Sequence, residues 1–148
     1  MSNLVAYTDG ACRISNPGLC SCAFVVYEDG EEIARHGKFL GFGHTNNFAE
    51  YMGVIDLLEW AVANHRVHLE IWCDSMLVVN QLLGRWQVRP PLSELCDQAT
   101  TLLYQTESTI QHLRGHAGIP GNEAADQVCN EILDEVQQYG EFACPKTQ

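Results

Sequence analysis

Positive charge is what this sequence has least of: 8 Lys and Arg stand against 19 Asp and Glu, a formal net charge of −11. That balance by itself argues against a nucleic-acid partner, because nucleic-acid binders carry a basic face. No apolar run is long enough to span a bilayer, and no basic segment precedes an apolar one at the N-terminus, so the chain reads as cytoplasmic with no membrane contact. Internal repeats and low-complexity stretches are missing, which excludes solenoids, fibres and long disordered segments. Paired cysteine or histidine spacings of the zinc-site kind are missing too. The seven cysteines, Cys12, Cys20, Cys22, Cys73, Cys96, Cys129 and Cys144, are odd in number and sit mostly in apolar segments. They are expected to be reduced core thiols, not a disulfide framework.

What is present is enough apolar material for a core. At 148 residues and 46% hydrophobic content the chain has the size of one domain, expected over residues 1–140, with a loose tail at 141–148. The run Leu4-Val5-Ala6-Tyr7-Thr8-Asp9 is apolar on both faces and reads as a central strand leading into Gly10-Ala11-Cys12. Asn16-Pro17-Gly18 marks a reversal, a second strand follows over 20–27, and Asp29-Gly30 is a hairpin signal before a third strand through Phe39. Gly41, Gly43 and His44 read as a loop.

From Thr45 to Ala63 the period turns helical, with Phe48, Tyr51, Met52, Ile55, Leu58 and Val62 inward. A buried strand over 68–73 then leads to a helix over 76–83, capped by Asp74 or Ser75. Another helix spans 92–104, a fifth strand 108–113, and a last helix begins at Asn122. A meander followed by strand–helix units predicts an α/β fold with helices on both faces of a mixed sheet.

Four acids stand out, each with an ordinary explanation. Asp9, at the end of a buried strand, serves either as a turn cap or as a cation ligand. Glu50 belongs to an Asn47-x-x-Glu50 capping pattern or borders a site. Asp74 is a helix cap, or a group at the strand edge where α/β sheets place ligands. Asp126, in the first turn of the last helix, complements its dipole. Two acids at strand ends and two in early helical turns are also what a layered fold needs to gather all four at one edge. Four carboxylates there require cations, and hard oxygen ligands select Mg²⁺ or Mn²⁺. Two such ions suit in-line attack of water on a phosphodiester.

Tyr7-Thr8-Asp9-Gly10-Ala11-Cys12 with Asn16-Pro17-Gly18, Thr45 to Tyr51, Cys73-Asp74-Ser75, and Gly115-His116-Ala117-Gly118 with Gly121 to Asp126 recur in the order and spacing of type 1 ribonuclease H, which the chain resembles from about Leu4 to Leu133. The resemblance implies a ribonuclease H-like five-stranded sheet, three strands antiparallel and then two parallel. It implies a monomeric endonuclease that hydrolyses the RNA strand of RNA/DNA hybrids to 3′-hydroxyl and 5′-phosphate ends. Two Mg²⁺ ions, or Mn²⁺ in their place, would be held by Asp9, Glu50, Asp74 and Asp126, with His116 assisting proton transfer. Gly10, Ala11, Cys12, Asn16, Thr45, Asn46, Asn47, Met76 and Asn122 correspond to substrate contacts. The basic handle that many members insert is reduced here to Gly84 to Pro91, where Trp86 with Arg85 and Arg89 is either a stacking platform or a core-closing side chain. A non-catalytic hybrid-binding module and a metal-dependent phosphatase are the competing readings. The complete acid set argues against the first, and the Asn46-Asn47 amides are unexplained by the second.

Overall fold

The computed structural model describes residues 2–139, so the expected tail at 141–148 lies outside the described residues. Strands β1 (Leu4–Arg13), β2 (Gly18–Glu28) and β3 (Glu31–His44) form an antiparallel meander, and β4 (Leu69–Cys73) and β5 (Thr109–His112) extend it in parallel. The sheet order is β3-β2-β1-β4-β5, the five-stranded mixed sheet expected from sequence. Helices α1 (Asn46–Ala63), α2 (Met76–Leu82), α3 (Leu92–Thr106) and α4 (Pro120–Tyr139) complete it.

Strand alternation explains the layering. Leu4 and Ala6 of β1 join Phe24, Val26 and Ile71 in a large core beneath α1 and α3. The opposite parity carries Tyr7, Ala11, Ala23 and Val25, which pack against Ala124, Ala125, Val128 and Cys129 of α4. β1 is central because both its faces are covered.

Several boundaries differ from the sequence reading. β3 continues to His44 through Gly41 and Gly43 at φ 97° and 95°, and the pairing with β2 shifts register between Cys20 and Ser21. A glycine-rich stretch taken for a loop is thus the irregular end of a long strand. The α1 cap is Thr45, whose Oγ1 accepts from the Phe48 amide at 3.1 Å, so Asn47 lies inside the first turn and forms no capping box with Glu50. Val62, expected inward, is exposed. α4 starts at Pro120, where a missing amide hydrogen costs nothing, and this places Asp126 in the second turn.

The cysteine expectation needs one correction. Cys12 and Cys20 face each other directly in the β1–β2 register, 4.2 Å apart at Cα, and form a disulfide. Spacing along the chain does not mark this pair, whereas the hairpin brings it together across strands. Cys22, Cys73, Cys96 and Cys129 are buried free thiols, as expected, and Cys144 lies outside the described residues.

Candidate active site

The site is made where β1 and α1 touch. A Cβ on Gly10 would stand 2.4 Å from the Ala49 carbonyl carbon and the Glu50 amide nitrogen, so only glycine lets the first turn of α1 lie on the strand. That contact sets buried Glu50 beside buried Asp9. β4 runs parallel to β1 with Cys73 opposite Thr8, so Asp74 emerges at the same level as Asp9. Ser75 caps α2, its Oγ accepting from the Val78 amide at 3.2 Å, and this leaves the Asp74 carboxylate free of capping duty.

One carboxylate oxygen from each of Asp9, Glu50 and Asp74 lies within 4.8 Å of the others. Asp126 approaches Asp9 from α4, close enough for its charge and a side-chain hydrogen bond to act on the Asp9 carboxyl. All four sequence-selected acids therefore converge, three as a tight cluster and Asp126 on the α4 side.

The electrostatics of this cluster are unfavourable without a cation. Burial, then repulsion from Asp74 and Asp126, pushes the Asp9 carboxyl up to about 8, outweighing the Gly10 amide that donates to its Oδ1 at 2.9 Å. Burial and the neighbouring Asp9 and Asp74 raise Glu50 well above its ordinary value. Glu50 Oε1 is buried with no hydrogen-bond partner, an orphaned acceptor on a member of the all-oxygen cluster. Buried anionic oxygens in this number fit a hard divalent cation.

Around the cluster, Asn16 Oδ1 accepts from the Asn46 amide at 2.9 Å, tying the β1–β2 loop to the start of α1. Asn16, Thr45, Asn46 and Met76 are exposed, Ala11, Cys12 and Asn47 half-buried, and Gly10 buried. His116 is exposed on the β5–α4 loop at φ 57°, a backbone conformation rare for a non-glycine residue. Asn122 is only 3% exposed and turns inward, its Nδ2 3.4 Å from Asp74 Oδ2.

The cations are unevenly committed. Arg13 is held by Asp134, Gln137 and Asn130 of α4, while Arg35, Lys38 and Arg66 pair with Glu32, Asp56 and Glu28. Among the described residues Arg85, Arg89 and Arg114 have no carboxylate partner, and all three lie on the loops flanking α2 and β5. Trp86 is 46% exposed, which disfavours the core-closing reading. Arg85 also lines a groove of about 510 Å³ with Met76, Asn80, Leu83, Gln111 and His112. Arg114 was missed from the sequence, and Gly115 was singled out only as part of the His116 motif, since a lone arginine carries no signal and a glycine's neighbour across the fold none until the fold places them.

A carboxylate cluster at the ends of neighbouring parallel strands in a mixed sheet defines an acid-cluster hydrolase of the phosphodiester-cleaving kind. The chain belongs to the RNase H family, whose model matches residues 1–133. It is 33% identical over 147 residues to the ribonuclease H of Polynucleobacter asymbioticus, covering 90% of this chain and 91% of that protein. Among solved structures, the RNase H1 of Halobacterium salinarum superposes with a TM-score of 0.80 at 36% identity, covering 90% of this chain and 98% of that one. LC11-RNase H1 in complex with an RNA/DNA hybrid gives a TM-score of 0.80 at 26% identity, covering 90% and 99%. The chain is accordingly an endonuclease of the hydrolase class, in a family that depends on metal.

Among the described residues no helix is long and apolar enough to cross a membrane.

Proposed function

We propose that this chain cleaves the RNA strand of RNA/DNA hybrids, acting as a monomeric catalytic domain over residues 1–140 with two Mg²⁺ ions, Mn²⁺ serving in their place. The observation that carries the reading is the cluster of buried Asp9 and Glu50 with half-buried Asp74, and its orphaned Glu50 oxygen. When bound, the ions supply charge stabilisation to the attacking and departing oxygens of an in-line displacement. Asp9, Glu50 and Asp74 would hold cation charge on the side of the departing 3′-oxygen, and Asp9 with Asp126 on the side of the attacking water. Water adds to phosphorus as the bond to the 3′-oxygen breaks, that oxygen gains a proton, and the 5′-phosphate stays on the other fragment. His116, exposed on the loop between β5 and α4, accepts the proton lost by the water or eases product departure.

Substrate is read by groups that suit an RNA strand. The amides of Asn16, Asn46 and Asn47 both donate and accept, as contact with 2′-hydroxyls requires. Gly10, Ala11 and Cys12 offer backbone beside the scissile position, Thr45 meets a DNA-strand phosphate, and Met76 borders the groove. Arg85, Arg89 and Arg114, with Trp86 as a stacking surface, replace the absent handle. We place the activity in the cytoplasm, where the four buried free thiols are at home and the Cys12–Cys20 pair is expected to be kept as thiols.

The test is incubation with an end-labelled RNA/DNA hybrid in Mg²⁺ and in EDTA, with duplex DNA, duplex RNA and a phosphomonoester as controls. Metal-dependent cleavage of the hybrid's RNA strand alone, leaving 3′-hydroxyl ends, is expected. Hybrid binding without cleavage would favour the non-catalytic module, and phosphomonoester hydrolysis the phosphatase.

A further inference from the structure

Asp74 is held differently from the other acids. Asp9 has its own neighbour's amide on Oδ1, and Glu50 Oε1 has no partner. Asp74 Oδ2 instead meets Asn122 Nδ2, at 3.4 Å, from the first turn of α4. On another side it rests against Gly115, where a Cβ would stand 2.8 Å from Oδ2 and 3.3 Å from the Asp74 Cβ. Ser75 has taken the capping duty at the start of α2, so nothing local to β4 competes for this carboxylate. Both contacts come from the segment on either side of the His116 loop.

We propose that Asn122 and Gly115 form a seat that fixes the orientation of the Asp74 carboxylate, and that Asn122 is a positioning residue for the cation site instead of a reader of the nucleic-acid strand. The inference rests on the reading of the acid cluster as a cation site. A side chain 3% exposed with its amide on a carboxylate presents no donor to a passing strand. A donor on one carboxylate oxygen limits the rotation of the group, which raises affinity for a cation by reducing what must be ordered on binding. Gly115 acts by shape: it is the one residue type that leaves the carboxylate this room. The His116 loop is thereby tied to the cluster, because Gly115 immediately precedes His116.

The experiment is calorimetric titration of the full chain with Mn²⁺ without substrate, comparing the parent with Asn122→Ala and Gly115→Ala, together with hybrid KM and kcat at saturating metal. Circular dichroism establishes that each variant is folded. Asn122→Ala is expected to weaken Mn²⁺ binding by about 10-fold or more, the range for removing an outer-shell partner, while hybrid KM at saturating metal stays within about twofold. Asn122→Ser, which keeps a donor, should recover part of that affinity. Gly115→Ala should weaken binding similarly and, lying in an exposed loop, gives the answer if Asn122→Ala fails to fold. Unchanged Mn²⁺ affinity in the folded variants, or a raised KM with unchanged metal affinity, overturns the seat. If the parent itself binds no Mn²⁺, the cation-site reading fails, and the seat fails with it.

Discussion

Replacing Asp9 by Asn in the metal-free protein should make it more stable, by an amount that depends on pH. The Asp9 carboxyl sits near 8 in the fold against 3.8 in its ordinary state, so between those values the native protein keeps a proton that the unfolded chain has released. The native state binds more protons throughout that window, and the unfolding free energy therefore falls as pH rises through it and levels off above. At about 1.4 kcal/mol per pH unit the full effect is roughly 5 to 6 kcal/mol. Asp74 and Asp126 share the repulsion, so part of the strain persists when Asp9 alone is neutralised. An Asn keeps the oxygen that accepts from Gly10 and removes the charge. The expected gain is about 2 to 4 kcal/mol near pH 7, shrinking to about zero at pH 4, which for a domain of this size is roughly 5 to 15 °C in Tm. Urea unfolding followed by far-UV circular dichroism, in EDTA from pH 4 to 9, measures it. Added Mg²⁺ should recover stability in the parent and do little for the variant, which should also have lost hybrid cleavage. A variant with the same pH profile as the parent, or one less stable at pH 7, would refute the account of the cluster as uncompensated carboxylates.

His116→Ala should lower kcat by about 10-fold or more while calorimetric metal affinity stays at the parent value, since the side chain is exposed and lies outside the acid cluster; lost metal binding would make it a ligand. Gly10→Ala should destabilise the protein by about 3 kcal/mol, seen as a lower urea midpoint, because its Cβ would meet α1 backbone at 2.4 Å. Hybrid affinity should be weak and fall gently with salt, at roughly 0.9 logarithmic units per phosphate contacted by the B-DNA rule, since only Arg85, Arg89 and Arg114 are uncommitted among the described cations. Filter binding across a salt series checks this, and a steep slope would mean a larger basic grip than these three. Arg85→Ala should raise KM with kcat nearly unchanged, as loss of binding shared by ground and transition states requires; an equal fall in kcat would place Arg85 at the chemistry.

The sequence by itself determined which segments form the layers and which acids to look for at one edge of them. The two apolar faces of Leu4 to Thr8, the Asp29-Gly30 turn and the 3.6-residue period after Thr45 are local properties, set by alternation and side-chain burial within a few residues. The motif order likewise picked out Asp9, Glu50, Asp74 and Asp126 before any contact between them was known. Only the tertiary structure decided relations between distant segments, because each depends on register or on how closely two backbones pack. Cys12 faces Cys20 through hairpin pairing, and Arg13 is held against α4. Asn122, which the motif suggested for the strand, turns 3% exposed onto Asp74 because α4 begins two residues earlier than its polar signals imply. The cluster itself is of this kind: Asp9 and Asp74 come level through the parallel register of β1 and β4, and Glu50 joins them because Gly10 has no Cβ.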